Sequence, residues 1–130
     1  MLGNLEKHIA EKLPFLQHKK LLIAISGGLD SVVLATLFHQ LNFSIGFAHC
    51  NFQLREAESD EDEAFVKKLG NVFNVEVHTK KFDTEIYANE QKESIQMAAR
   101  SLRYEWFQAV AEKNKYDYIL SLNSKQIFRI

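Results

Sequence analysis

Leu2, Leu5, Ile9 and Leu13 recur at helical spacing, and Pro14 disfavours helix at the residue before it, so the chain should open on a short amphipathic helix packed as a lid. Leu21 to Ile25 is a fully apolar run stopped by Ser26-Gly27-Gly28, the pattern of a buried strand entering a tight turn. The sequence SVVLATLFHQL, from Ser31 to Leu41, is apolar on most faces, as expected of a crossover helix packed between a sheet and its neighbours. Phe43 to His49 predicts a second buried strand. A polar loop follows, then a helix from about Glu58 to Gly70 with Phe65, Val66 and Leu69 as its inward stripe. Phe73, Val75 and Val77 alternate with Asn74, Glu76 and His78, the rhythm of a half-buried strand. Residues 81 to 93 read as an exposed, mobile connection. The strongest helix is expected from about Ser94 to Asn114, on the stripe Ile95, Ala98, Ala99, Leu102, Trp106, Ala109 and Val110, and Tyr118 to Leu120 begins a fourth strand.

Strands alternating with helices, without a hairpin signal, imply an α/β fold with a doubly wound, mostly parallel sheet of Rossmann-like type, because parallel neighbours need crossover connections. The sheet is expected to stop at its fourth strand, leaving an edge that the Ile127-Phe128-Ile130 tail either covers or offers to another chain.

Composition narrows the class. A length of 130 residues without internal repeat or low-complexity linker suits one domain over 1–130, and 46% hydrophobic with 25% charged residues suits a globular chain with its own core. Sixteen Lys and Arg against 17 Asp and Glu leave a net charge of -1, so any contact with RNA must come from local patches. Cys50 is alone, which excludes an internal disulfide and a CxxC site and suits a reducing compartment. Glu6, Lys7, Glu11 and Lys12 interrupt the opening segment as no signal peptide allows, and no apolar run reaches the roughly 18 residues of a membrane span. A cytoplasmic protein with no membrane contact is expected.

The chemistry concentrates in Ser26-Gly27-Gly28-Leu29-Asp30-Ser31, between a buried strand and an apolar helix. Adjacent glycines let backbone approach a ligand, and the following helix start offers unpaired N–H groups and a positive dipole end to phosphate. The segment is neither a Walker A loop nor GxGxxG. Asp30 beside a phosphate site repels the ligand unless Mg²⁺ bridges them, so a metal–nucleotide complex is expected, with Asp30 as metal ligand. The plainer reading, that Asp30 or Ser31 caps the helix and the glycines turn the chain, stays open.

Three further groups draw attention. His49 and Asn51 stand at the end of the second strand, where open α/β sheets place ligand contacts, although a strand-end His and a turn Asn are the simpler reading. Glu56 to Glu63 holds six carboxylates in EAESDEDE, taken as a solvated helix start rather than a metal site. Gln96, Arg100 and Arg103 fall at i, i+4 and i+7 on a face opposite the Ile95/Leu102/Trp106 stripe, and Arg suits phosphate because its planar fork donates in pairs.

Here SGGLDS resembles the PP-loop motif of N-type ATP pyrophosphatases, which cleave ATP between the α and β phosphates to adenylate a substrate. Within that superfamily, His49-Cys50-Asn51-Phe52-Gln53-Leu54-Arg55 with Glu58-Ser59 and Asp62 is similar to the HxNxxLR…ES…D signature of the tRNA(Ile)-lysidine synthase family, and SIQMAARSLRYEWF resembles that family's AR-x-x-RY helix. The resemblance implies a sheet of the adenine nucleotide alpha hydrolase type. It also implies ATP and Mg²⁺ as cofactors, and tRNA(Ile) and free lysine as substrates, joined at C2 of the wobble cytidine through an adenylated intermediate. Ser26, Gly27, Gly28, Leu29, Asp30 and Ser31 would then hold pyrophosphate and metal, His49 and Asn51 would border the adenosine, and Asp30, Arg100 and Arg103 would serve catalysis. Departing from the pattern, residues 121 to 130 read SLNSKQIFRI where the family carries a His- and Asp-bearing loop, so an N-terminal portion, inactive alone, is expected. A tRNA-thiolating or amide-forming PP-loop enzyme and a non-catalytic nucleotide-binding module are the alternatives.

Overall fold

The computed structural model describes residues 2–26, 28–55, 57–121 and 126–129, with only the backbone for Leu2, Leu5 and residues 126–129. Its elements are α1 (Leu2–Lys12), a 3-10 turn (Pro14–Leu16), β1 (Lys20–Ala24), α2 (Leu29–Gln40), β2 (Ser44–Asn51), α3 (Ala57–Phe73), β3 (Val77–Lys81), α4 (Thr84–Gln91), α5 (Ile95–Lys113), β4 (Tyr118–Ser121) and β5 (Gln126–Arg129). The strand order is β3-β2-β1-β4-β5. The first four strands are parallel, as the alternation of elements required, and β5 pairs antiparallel with β4 from Tyr118↔Arg129 to Ser121↔Gln126. The sheet therefore does not stop at its fourth strand, because residues 126–129 cover the β4 edge as a fifth strand; Ile130 lies outside the described residues.

Side chains alternate across β1 and so build two cores. Leu21, Ile23 and Ile25 join Ile9, Leu16, Ala35, Phe38, Phe47 and Val66 on the face covered by α1, α2 and α3. On the opposite face Leu22 packs with Ala48, Phe107, Val110, Ala111, Tyr116 and Ile119, beneath α5. The opening helix shares a cavity with residues 17–19, before β1, and with residues 41–44, which lead into the first residue of β2, so any lid it forms covers the end of the sheet where the strands start.

Four local expectations change. The third strand begins at Val77 and not at Phe73, because Asn74 takes a left-handed φ of 55° and ends α3. Val75 N–H returns to the Gly70 carbonyl at 3.0 Å, and a Cβ on Gly70 would meet the Val77 side chain. Residues 81 to 93 contain α4, held by buried Phe82, Thr84 and Ala88, whose sparse apolar signal is diluted by Glu85, Asn89, Glu90 and Gln91. On α3, Phe65 is exposed while Val66 and Gly70 face inward. On α5, capped by Ser94 Oγ accepting from Met97 N at 3.2 Å, the buried residues are Ala98, Phe107, Val110 and Ala111, whereas Ile95 and Ala109 are exposed.

The end of the sheet where the strands start is tied firmly. Lys20 N–H donates to Asp117 Oδ2 at 2.8 Å, Asp117 N–H returns to the Lys20 carbonyl at 2.7 Å, and Lys20 Nζ lies 4.3 Å from the Tyr116 ring centre. The Tyr116 ring in turn occupies the space that a side chain at Gly46 would need. Gly46→Ala should therefore overpack the site and cost about 1–3 kcal/mol, read as a lower urea midpoint at unchanged slope. An unshifted midpoint would show that Tyr116 moves aside freely.

Candidate functional site

Parallel pairing carries the ends of β1, β2 and β4 to one edge of the sheet, and a cleft of about 580 Å³ opens there. Its walls include Ser26, Gly28, His49, Asn51, Arg103 and Ser121. Five positions singled out from the sequence therefore meet in one place: Ser26, Gly28, His49, Asn51 and Arg103. Gly27 lies outside the described residues.

The glycine segment begins where Ile25 N–H, donating to the Ala48 carbonyl at 2.9 Å, extends the β1 pairing by one residue. Gly28 is the N-cap of α2 and brings no side-chain hydrogen bond to the helix start. Ser31, buried, donates from Oγ to the Gly28 carbonyl at 2.9 Å, and Ser26 Oγ accepts from Gly28 N–H at 3.3 Å. Ser31 is thus a donor to a carbonyl and caps none of the free N–H groups of the first turn. Leu29, 78% exposed, and Asp30 stand outside the cleft lining on the first turn of α2.

His49 is 3% exposed, and its Nδ1 lies 2.7 Å from the Ile25 carbonyl oxygen. A carbonyl only accepts, so Nδ1 carries a proton, and in the neutral ring Nε2 then carries a lone pair. Nε2 is buried without a partner. Asn51, 1% exposed, is engaged at both polar atoms: Nδ2 donates to Asp60 Oδ1 at 2.9 Å and Oδ1 accepts from Gln53 N–H at 3.0 Å. The loop it organises is pinned again where Thr84 Oγ1 donates to the Phe52 carbonyl at 2.8 Å and Gln53 Nε2 to the Phe82 carbonyl at 2.9 Å.

Arg103 does not stand opposite the buried face of α5; with Phe107 and Ala111 it continues that face at steps of four and enters the cleft. Its Nε is buried without a partner, and its guanidinium carbon lies 5.2 Å from the Tyr104 ring centre. Arg100 lies 5.4 Å from the same ring but is exposed and outside the cleft lining. The two arginines flank one tyrosine rather than one another.

Of the other wall residues, Leu54, Arg55, Glu58, Ser59 and Asp62 carry the family resemblance in the sequence but no site role was assigned to them there, and Phe107 went unmarked. The spacing of the Arg55, Glu58, Ser59 and Asp62 block was visible, but only the α3 geometry turns it toward the cleft. Arg55 and Glu58 pair at 3.4 Å across open solvent, an ion pair of little energetic weight. Among the described residues no group of three or more His, Cys, Asp or Glu is placed to hold a metal ion.

The sequence profile of the PP-loop domain family matches residues 1–126. The chain is similar to a tRNA(Ile)-lysidine synthase of Bacteroides thetaiotaomicron, 44% identical over 107 residues, which are 82% of this chain and 25% of that protein. It is similar also to one of Porphyromonas gingivalis, 48% identical over 98 residues, 75% of this chain and 22% of that one. The chain thus spans about a quarter of the length of these curated relatives. Among solved structures, an NMN synthetase from Francisella tularensis superposes with a TM-score of 0.66 at 17% identity, over 91% of this chain and 51% of that one. An NH3-dependent NAD synthetase from Campylobacter jejuni gives 0.67 at 19% identity, over 91% and 53%. At those identities the two structures speak for the fold alone.

Burial pushes the Cys50 thiol from 9.0 up to about 12, against a downward pull from the Arg103 charge. The folded thiol therefore stays protonated at neutral pH and should resist iodoacetamide at pH 8, becoming reactive only in denaturant. Because its folded pKa lies above its unfolded one, the associated stability is complete below pH 9 and is lost as pH rises from 9 toward 12. Rapid alkylation of the native chain at pH 8 would show that the thiol is not held this way.

Proposed function

The chain belongs to the PP-loop domain family, and on that premise we propose that it is the N-terminal, nucleotide-binding part of a tRNA(Ile)-lysidine synthase. The proposed reaction activates the C2 oxygen of the wobble cytidine of tRNA(Ile) with ATP, releases pyrophosphate, and lets the amine of free lysine displace AMP. The observation that carries this reading is the meeting, in one cleft, of the glycine start of α2 with the partly buried Arg103. A helix start without a side-chain cap and a guanidinium fork are complementary to a polyphosphate, and Phe52, Leu54 and Phe107 offer apolar surface to a base.

Residues 26 to 31 would embrace the leaving pyrophosphate, and Arg103 would neutralise charge that builds during its departure. Asp30, exposed on the first turn of α2, would hold Mg²⁺, which keeps waters and takes most of its remaining oxygens from phosphates; bound there, the ion would supply charge neutralisation. His49 would border the adenosine, and Asn51 would act through the loop it holds. Arg100, exposed one turn from Arg103, would meet the larger substrate. No protein nucleophile is required, which agrees with a thiol at Cys50 that stays protonated. Among the described residues no helix is long and apolar enough to cross a membrane, and an enzyme acting on tRNA would work in the cytoplasm.

A Cβ at Gly28 would meet only Ser26 Oγ, at the ordinary distance of 3.4 Å, and the backbone there has φ of -74°. The fold itself thus does not demand glycine. Gly28→Ala should leave the melting temperature unchanged while weakening Mg²⁺-ATP binding about tenfold by calorimetry, roughly 1.4 kcal/mol. Equal affinity in the two proteins would remove the phosphate from this loop. For the reaction, the full-length counterpart incubated with ATP, labelled lysine and several tRNA transcripts should label tRNA(Ile) selectively. Labelling of none, or of all alike, would overturn the assignment, and ATP binding without pyrophosphate exchange would favour a non-catalytic module.

A further inference from the structure

Among the described residues two buried side-chain atoms lack a hydrogen-bond partner, His49 Nε2 and Arg103 Nε, and both residues line the same cleft. Leaving such atoms unpaired is costly, so their convergence marks where a ligand completes the structure. Their polarities differ. The Arg103 Nε–H can only donate, whereas the 2.7 Å bond from Nδ1 to the Ile25 carbonyl fixes His49 in the tautomer whose Nε2 can only accept. Phosphate oxygens suit the first and, while the imidazole is neutral, not the second.

We propose that His49 Nε2 accepts a hydrogen bond from the nucleoside of the bound nucleotide, from either its exocyclic amine or a ribose hydroxyl, and thereby makes His49 a residue that discriminates among nucleotides. This rests on the reading of the cleft as a nucleotide site, which it sharpens: Arg103 is the arm for the phosphates and His49 the arm for the nucleoside. The imidazole serves two ends at once, since the same ring that reads the ligand anchors the backbone entering the glycine loop.

The two duties separate in one variant. His49→Asn retains an N–H donor at the position of Nδ1 and loses the atom at Nε2. Calorimetry with Mg²⁺ compares ATP, purine riboside triphosphate, 2′-deoxy-ATP, 3′-deoxy-ATP and inorganic tripolyphosphate on the wild-type chain and the variant. Wild type should bind one of the three analogues about tenfold more weakly than ATP, and which one identifies the donor. His49→Asn should bind ATP about tenfold more weakly, should no longer distinguish ATP from that analogue, and should bind tripolyphosphate as wild type does. A wild type that binds all three analogues as well as ATP overturns the proposal without reference to any variant, as does a folded His49→Asn that keeps full discrimination or full ATP affinity. Should His49→Asn lose its native far-UV spectrum, the wild-type analogue series decides alone. Absence of ATP binding by wild type is a separate outcome, which overturns the underlying nucleotide reading as well.

Discussion

The hydrogen bond from His49 Nδ1 to the Ile25 carbonyl, 2.7 Å long and buried, joins the two strand ends on which the cleft is built. Parallel pairing of β1 with β2 delivers Ile25 and His49 to the same edge, but after the Ile25 N–H bond to the Ala48 carbonyl the backbone must leave the ladder to form the glycine turn. The imidazole replaces the lost ladder contact with a side-chain one. It is also what sets the polarity of the ring, because a proton committed to Nδ1 leaves a lone pair on Nε2. Geometry of the loop and chemistry of the site thus come from one bond.

The two ends of the sheet are built on opposite rules. Where the strands start, Lys20, Asp117 and Tyr116 satisfy one another and close over Gly46. At the cleft, a helix start lacks a side-chain cap and two buried nitrogens lack partners. A fold that satisfies its polar groups in one region and leaves them open in another has placed its incomplete interactions where a ligand enters. The loop from Phe52 to Arg55 shows the same division: Asn51, Gln53 and Thr84 consume their hydrogen-bonding capacity holding it, so that neighbouring residues can face the cleft.

The parallel core and the glycine turn were readable from the residues because their signals are local: Leu21 to Ile25 and Ser31 to Leu41 carry their periodicity within themselves. The spacing on α5 identifies Arg103 as ligand-facing but puts it opposite the apolar stripe, whereas Phe107 and Ala111, absent from that stripe, define the buried face it extends. The α4 helix escaped notice because three buried residues suffice for it against α5 and the 52–55 loop, too few to stand out from the polar ones. Asn74 looked like the polar position of a strand and is a left-handed helix stop, a distinction of backbone conformation that side-chain alternation does not express. The unpartnered Nε2 of His49 depends on a contact between residues 24 positions apart, beyond any pattern within one element.

Titration of the ¹⁵N-labelled chain with Mg²⁺-ATP, followed by amide chemical shifts, locates the ligand without a mutation. The largest changes are expected at Ser26, Gly28 and Asp30, at His49 and Cys50, and on α5 around Arg103, with Lys20, Asn42 and Ser44 at the far end of the sheet unmoved. Changes centred on that far end, or none at saturating nucleotide, would contradict the account of the strand-end cleft as the nucleotide site.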